Sequence, residues 1–245
     1  MGLQLTEWHF YLYERHASGV DTPIDDDAGV LNVLTADDPS EATCYADVNG
    51  TSASNPMTFT NGRVRFYTAE STTSVDITGL TSKGHAFFYQ GITPSTHRIV
   101  IDPTRTAHSL VLPYQVVGAS ETVVDTGFDI LANMLIKDCF VHVTTVGTGA
   151  TLDIGTSTDP DGFADGVSAA TTGYPVTLLE EVLTSATQIG ALLSIALTAD
   201  YVRKLHRRAN STSGANIVYT NTTSSSTAGE GYIHIQYHRI PTTGG

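Results

Sequence analysis

The chain has 245 residues, 40% of them hydrophobic and only 15% charged, which is enough apolar content for one large core or two modest ones and too much for a disordered chain. Lys and Arg number 12 against 25 Asp and Glu, so the net charge is −13. That balance argues against nucleic acid and anionic membrane as partners, since both need a cationic footprint, and favours solubility or docking to a complementary basic surface.

Thr, Val, Tyr and Ile suit a half-buried pleated surface, and Gly, Asn, Asp and Pro mark its turns. The expected fold is therefore all-β, with two antiparallel β-sandwich or jelly-roll-like domains. The N-terminal residues lack a basic and then apolar leader pattern, so no signal peptide is expected. No apolar run reaches bilayer length.

In chain order, residues 8–13 alternate Trp8, Phe10 and Leu12 against His9, Tyr11 and Tyr13. Both faces carry aromatic or apolar groups, which predicts a strand covered on both sides or lying at a subunit contact. Trp8, Phe10 and Tyr13 are the expected interface residues. Asp25, Asp26 and Asp27 form a charge triplet in a Pro- and Gly-flanked turn, expected to be solvated. Strands are expected at 30–34, 43–47, 63–67, 75–77, 85–89 and 98–101. The Asn-Gly pairs at 49–50 and 61–62 are hairpin signals. After Asn61-Gly62, the alternation places Val64 and Phe66 on one face, with Arg63, Arg65 and Tyr67 on the other. This spacing of about ten to twelve residues per strand suits a sandwich or small barrel. Residues 1–103 are read as the first domain, 104–114 as a linker or interdomain strand, and 115–245 as the second domain. Within the second, strands are expected at 121–125, 134–143, 151–155, 216–220 and 231–238. Segments 177–185 and 189–197 are apolar with weak periodicity, compatible with buried strands or helices.

Few side chains suggest chemistry. Asp159, Asp161 and Asp165 fall within seven residues of a Pro- and Gly-containing loop. Carboxylates around a curling turn are hard-oxygen ligands of the kind calcium takes, so these three are the candidate metal site; the other reading is an Asx-turn loop. No Gly-x-Ser-x-Gly or His-Glu-x-x-His pattern is present, and no catalytic or cofactor-binding residue is expected. His9, His234 and His238 sit in strand patterns and read as outer-face or contact residues. Arg203, Lys204, Arg207 and Arg208 concentrate four of the 12 basic residues, and suggest an electrostatic contact with an acidic neighbour. Cys44 and Cys139 read as separate buried thiols; a disulfide between them would have to join the two domains.

The second half resembles virion proteins of tailed bacteriophages. The matching pieces are residues 155–173 (Gly-Thr-Ser-Thr-Asp-Pro-Asp-Gly-Phe-Ala-Asp-Gly onward), 189–193, and 215–223 leading to 228–235. The first half is more weakly similar to β-modules of phage fibre and decoration proteins, through residues 42–51 and 62–67. The resemblance implies a structural virion protein, assembled in the host bacterial cytoplasm. It would decorate or cement a capsid, with the major capsid protein as partner and a homotrimer as the favoured assembly. A tail-fibre or baseplate adhesin that binds a host glycan is the alternative. The resemblance supplies no functional residues.

Overall fold

The computed structural model describes residues 4–116, 123–132, 134–170, 172–177, 215–223 and 227–239. The chain divides into two compact units, Met1–Thr106 and Ala107–Gly245. Both are all-β.

The N-terminal unit holds β1 (Leu5–Arg15), β2 (Asp21–Pro23), β3 (Val30–Thr35), β4 (Met57–Thr58), β5 (Arg63–Ala69), β6 (Val75–Leu80), β7 (Ala86–Ile92) and β8 (Thr96–Ile101). In one sheet, β1 pairs antiparallel with β5 along its first half and with β2 at its end. The other edge of β1 takes β8 in parallel, His9 opposite Thr96 through Glu14 opposite Ile101. This pair departs from the purely antiparallel expectation. Parallel pairing needs a long crossover, and the chain between β1 and β8 supplies it by building the second sheet, ordered β4-β3-β6-β7.

Alternation along β1 turns Trp8, Phe10 and Leu12 inward, where they join Val64 and Phe66 of β5 and Ile99 and Ile101 of β8. Leu31, Val33, Val75, Ile77 and Phe87 complete the core from the second sheet. Phe66 stacks on both Trp8 and Phe10, with ring centroids 5.9 and 5.8 Å apart. The interface expectation for Trp8 and Phe10 is thereby corrected. Both side chains are 0% exposed in the chain and belong to the N-terminal core cluster, so neither has surface left to offer a partner. Tyr13 lies on the opposite face. Trp8 also donates its indole N–H to Thr68 Oγ1 at 2.9 Å. Trp8→Phe is expected to cost about 2 kcal/mol of stability in urea unfolding, from lost ring area plus one buried hydrogen bond. The same variant should leave sedimentation behaviour unchanged; a shift in association state would revive the contact role.

The two Asn-Gly signals have different outcomes. Asn61 and Gly62 adopt φ values of 49° and 66°, and Thr60 and Arg63 exchange both backbone hydrogen bonds, at 2.9 and 3.0 Å. This is a two-residue primed turn opening β5, which needs positive φ at both central residues. At 49–50 the Asp47 carboxylate instead accepts from the Asn49 and Thr51 amides and the Thr51 hydroxyl. That winding leaves Tyr45 only isolated bridges, to Ser52 and Tyr67, so 43–47 is not a strand.

The C-terminal unit holds β9 (Ala107–Val116), β10 (Val123–Asp129), β11 (Met134–Thr145), β12 (Thr151–Thr156), β13 (Asp159–Ser168), β14 (Gly173–Thr177), β15 (Asn216–Asn221) and β16 (Gly229–Arg239). Its antiparallel pairs are nested: β9 with β16, β10 with β15, β11 with β14, and β12 with β13. The long ribbon so formed rolls up when β16 also pairs β11 and β15 also pairs β12. Among the described residues two four-stranded sheets result, β9-β16-β11-β14 and β10-β15-β12-β13, which is the strand order of an eight-stranded jelly roll.

Two sequence readings change here. Segment 104–114 is largely not a linker: residues 107–116 are an edge strand of this jelly roll. His108, Leu110, Leu112, Tyr114 and Val116 alternate into its core, and Pro113, which has no N–H to give a ladder, is tolerated at an edge. The acidic segment 159–166 is a strand rather than a loop. Phe163, Ala164 and Val167 are buried, and two register shifts against β12 absorb the extra residues. Most of the apolar segments 177–185 and 189–197 lies outside the described residues.

Candidate functional site

The face of β1 opposite its core side carries Glu7, His9, Tyr11, Tyr13 and Arg15. Strand pairing brings arginines to it from three directions. Arg65 stands opposite His9, and Arg63 opposite Tyr11. On the other edge Arg98 stands opposite Tyr11. At the end of β1, Arg15 faces Asp21 of β2.

These cations are held in place by tyrosine rings and by two carboxylates. The Arg98 guanidinium lies 4.0 Å above the Tyr13 ring, and that of Arg63 lies 5.4 Å from the Tyr11 ring. Asp21 takes Arg15 at 3.3 Å and Arg98 at 3.6 Å. Glu7 accepts the Tyr67 hydroxyl at 2.7 Å and lies 3.8 Å from Arg65 and 3.4 Å from His9. The Tyr67 hydrogen bond, followed by His9 and Arg65, holds the Glu7 carboxyl below the ordinary range. Side chains of Arg15 and Arg65 remain 60% exposed and that of Arg98 53%, so such pairs contribute little to stability. What they achieve is a rigid, solvent-facing array of tyrosine and arginine, the side chains enriched in binding hot spots. The alternation of Arg63 and Arg65 was readable from sequence. Arg98 was not, because only the parallel pairing of β8 places it there.

A second charged surface has the opposite sign. Strands β10, β12, β13 and β15 form one sheet that carries Asp125, Asp129, Asp153, Asp159, Asp161 and Asp165, and these four strands contain no Lys or Arg. Burial and neighbouring carboxyls raise three of them. Burial, then Asp125, raises Asp129; burial, then Asp165 and Asp161, raises Asp153; burial, then Asp161, raises Asp159.

The calcium expectation for Asp159, Asp161 and Asp165 is corrected. Among the described residues no three acidic, His or Cys side chains converge to hold an ion. The three aspartates lie along β13, where the Asp159 and Asp161 side chains hydrogen-bond to each other. Two other carboxylates of this sheet turn back to the backbone: Asp153 accepts the Gly166 amide and Asp125 the Gly127 amide, each at 2.8 Å.

The remaining candidates have structural surroundings. Cys44 and Cys139 are free and buried; burial, then Glu41, pushes the Cys44 thiol up to about 12, and burial raises Cys139 as well. Neither is a poised nucleophile. His234 stacks on Phe140, with centroids 4.7 Å apart. The basic run Arg203, Lys204, Arg207 and Arg208 lies outside the described residues.

The geometry defines a protein of two β-sandwich units whose most distinctive surfaces are a Tyr/Arg sheet face and an aspartate-bearing sheet. Comparison with protein-family models, with curated proteins and with solved structures finds no match to this chain.

Proposed function

We propose that this chain is a structural protein of a tailed-phage virion that decorates or cements the capsid shell. Its partners in this reading are the major capsid protein and further copies of itself, a homotrimer being the favoured assembly, and it works without catalysis. The observation that carries the reading is the uneven distribution of charge over the sheets: an exposed array of tyrosines and arginines, with Glu7 and Asp21 among them, on one unit, and a sheet whose only charged strand residues are aspartates on the other. Aromatic and guanidinium anchors on a sheet face suit protein–protein contact, and symmetric repetition multiplies a modest contact area. The resemblance to virion proteins adds support, because its motifs at 155–173, 215–223 and 228–235 fall on β12, β13, β15 and β16 of the jelly roll.

Quantitative gel analysis of purified particles tests this. Hundreds of copies per particle, in fixed ratio to the major shell protein, are expected. Absence from particles would end the reading, and a few dozen copies would move the chain to the tail.

One observation favours an adhesin as the second reading. A cavity of about 340 Å³ opens at one end of the β9-β16-β11 sheet, lined by Gln115, Val116, Thr145, Ala228, Gly229 and Glu230. Its polar groups could orient a sugar. Binding of the purified protein on a glycan array, lost in Glu230→Ala, is the result that would favour it.

A further inference from the structure

We propose that the chain self-associates head to tail, the Tyr/Arg face of β1, β5 and β8 in one copy docking on the aspartate-bearing sheet of β10, β15, β12 and β13 in the next. The inference deepens the proposed function, and rests on its premise that the chain works through repeated contacts between copies.

Charge complementarity commits the occupant to a second copy. Arg15, Arg63, Arg65 and Arg98 are a third of the chain's 12 basic residues, gathered on one sheet of a molecule whose net charge is −13. The opposing sheet has six aspartates and no cation on its strands, and its carboxylates repel one another. Asp125, Asp129, Asp161 and Asp165 are exposed, as are Arg15, Arg63, Arg65 and Arg98. Guanidinium forks bind carboxylates in pairs, and here Arg63 and Arg98 already lie against the Tyr11 and Tyr13 rings, which lowers the entropy cost of docking. Because the two surfaces differ, the contact is heterologous, and rotation that closes it makes a ring.

Multi-angle light scattering of the purified full chain supplies the test. The wild type is expected to be oligomeric in about 0.05 M salt and to dissociate in about 0.5 M salt, as a screened charge contact should. R63E/R65E and D161K/D165K are each expected to weaken association at least tenfold, while circular dichroism and melting stay at wild-type values. Combining the four substitutions in one chain should restore the oligomer. If either swap fails to fold, R63Q/R65Q and the salt dependence of the wild type decide the matter. A wild type that stays monomeric at every salt concentration overturns the inference, and so does a four-fold variant that stays apart. Loss on the arginine side only, with D161K/D165K unaffected, also overturns it and points to a foreign acidic partner. A monomer that is nevertheless abundant on particles removes this contact and leaves the proposed function standing. An oligomer absent from particles does the reverse.

Discussion

Replacing Asp26 by Ala is expected to lower the stability of the N-terminal unit by about 3 kcal/mol. Asp26 is only 3% exposed although it sits inside a run of three aspartates. Its Oδ1 accepts the Ala28 and Gly29 amides at 3.1 and 2.8 Å, and its Oδ2 accepts the Ser82 amide at 2.9 Å. Its own carbonyl takes the Gly62 amide at 3.0 Å. One carboxylate thus ties the turn before β3 to the turn after β6, and its removal strands three donors in a site with little water. Asp26→Asn is expected to be nearly as damaging, because the side-chain amide would present N–H groups to at least one backbone N–H. Urea unfolding followed through Trp8, the chain's single tryptophan and part of this core, reads the loss directly. A cost below about 1 kcal/mol would mean that water replaces the carboxylate.

Acidification is expected to weaken the C-terminal unit through His234. Its ring stacks on Phe140 of β11, and burial, then the neighbouring His142, pushes its pKa down from 6.5 to about 4. The folded state therefore holds the neutral imidazole. The stability it contributes is complete above the unfolded value of 6.5 and is lost as pH falls towards the folded value of about 4. The loss across that window is of the order of 2–3 kcal/mol. His234→Phe keeps the stack on Phe140 and should remove this component. Asp129, Asp153 and Asp159 act with the opposite sign, since their raised pKa values favour the folded state once they are protonated. In His234→Phe the C-terminal unit should accordingly hold or gain stability between neutral pH and about pH 5. Guanidinium unfolding followed by circular dichroism at a series of pH values would decide. An unchanged slope in His234→Phe would assign the acid response to other groups. The N-terminal unit should respond lower on the scale, because Glu7, Asp47 and Asp102 have lowered pKa values and their contribution fades only as pH falls through them.

Local pattern carried far in this chain. The alternation of Val64 and Phe66 against Arg63 and Arg65 is realised in β5, and Asn61-Gly62 makes the expected turn. Both depend on residues a few positions apart, where pleat and backbone torsion are sufficient causes. The Asp26 role was not legible, because a buried acceptor and a solvated one look alike in a run of three aspartates. The difference lies in the Ser82 amide, 56 residues away. Residues 104–114, read as a linker or an interdomain strand, were undecided for a similar reason: β9 is explained by its partner β16, more than a hundred residues later.

By itself the sequence determined an all-β protein of two sandwich-like units, most of its strands, and an acidic surface poor in cations, since period-two alternation, turn chemistry and net charge are local or summed properties. Only the tertiary structure decided that Trp8 and Phe10 belong to a core, that Arg98 joins Arg63 and Arg65 over a tyrosine face, and that six aspartates share one sheet. Each of these depends on which distant strands pair, and pairing is chosen by the collective burial of both sheets rather than by any one segment.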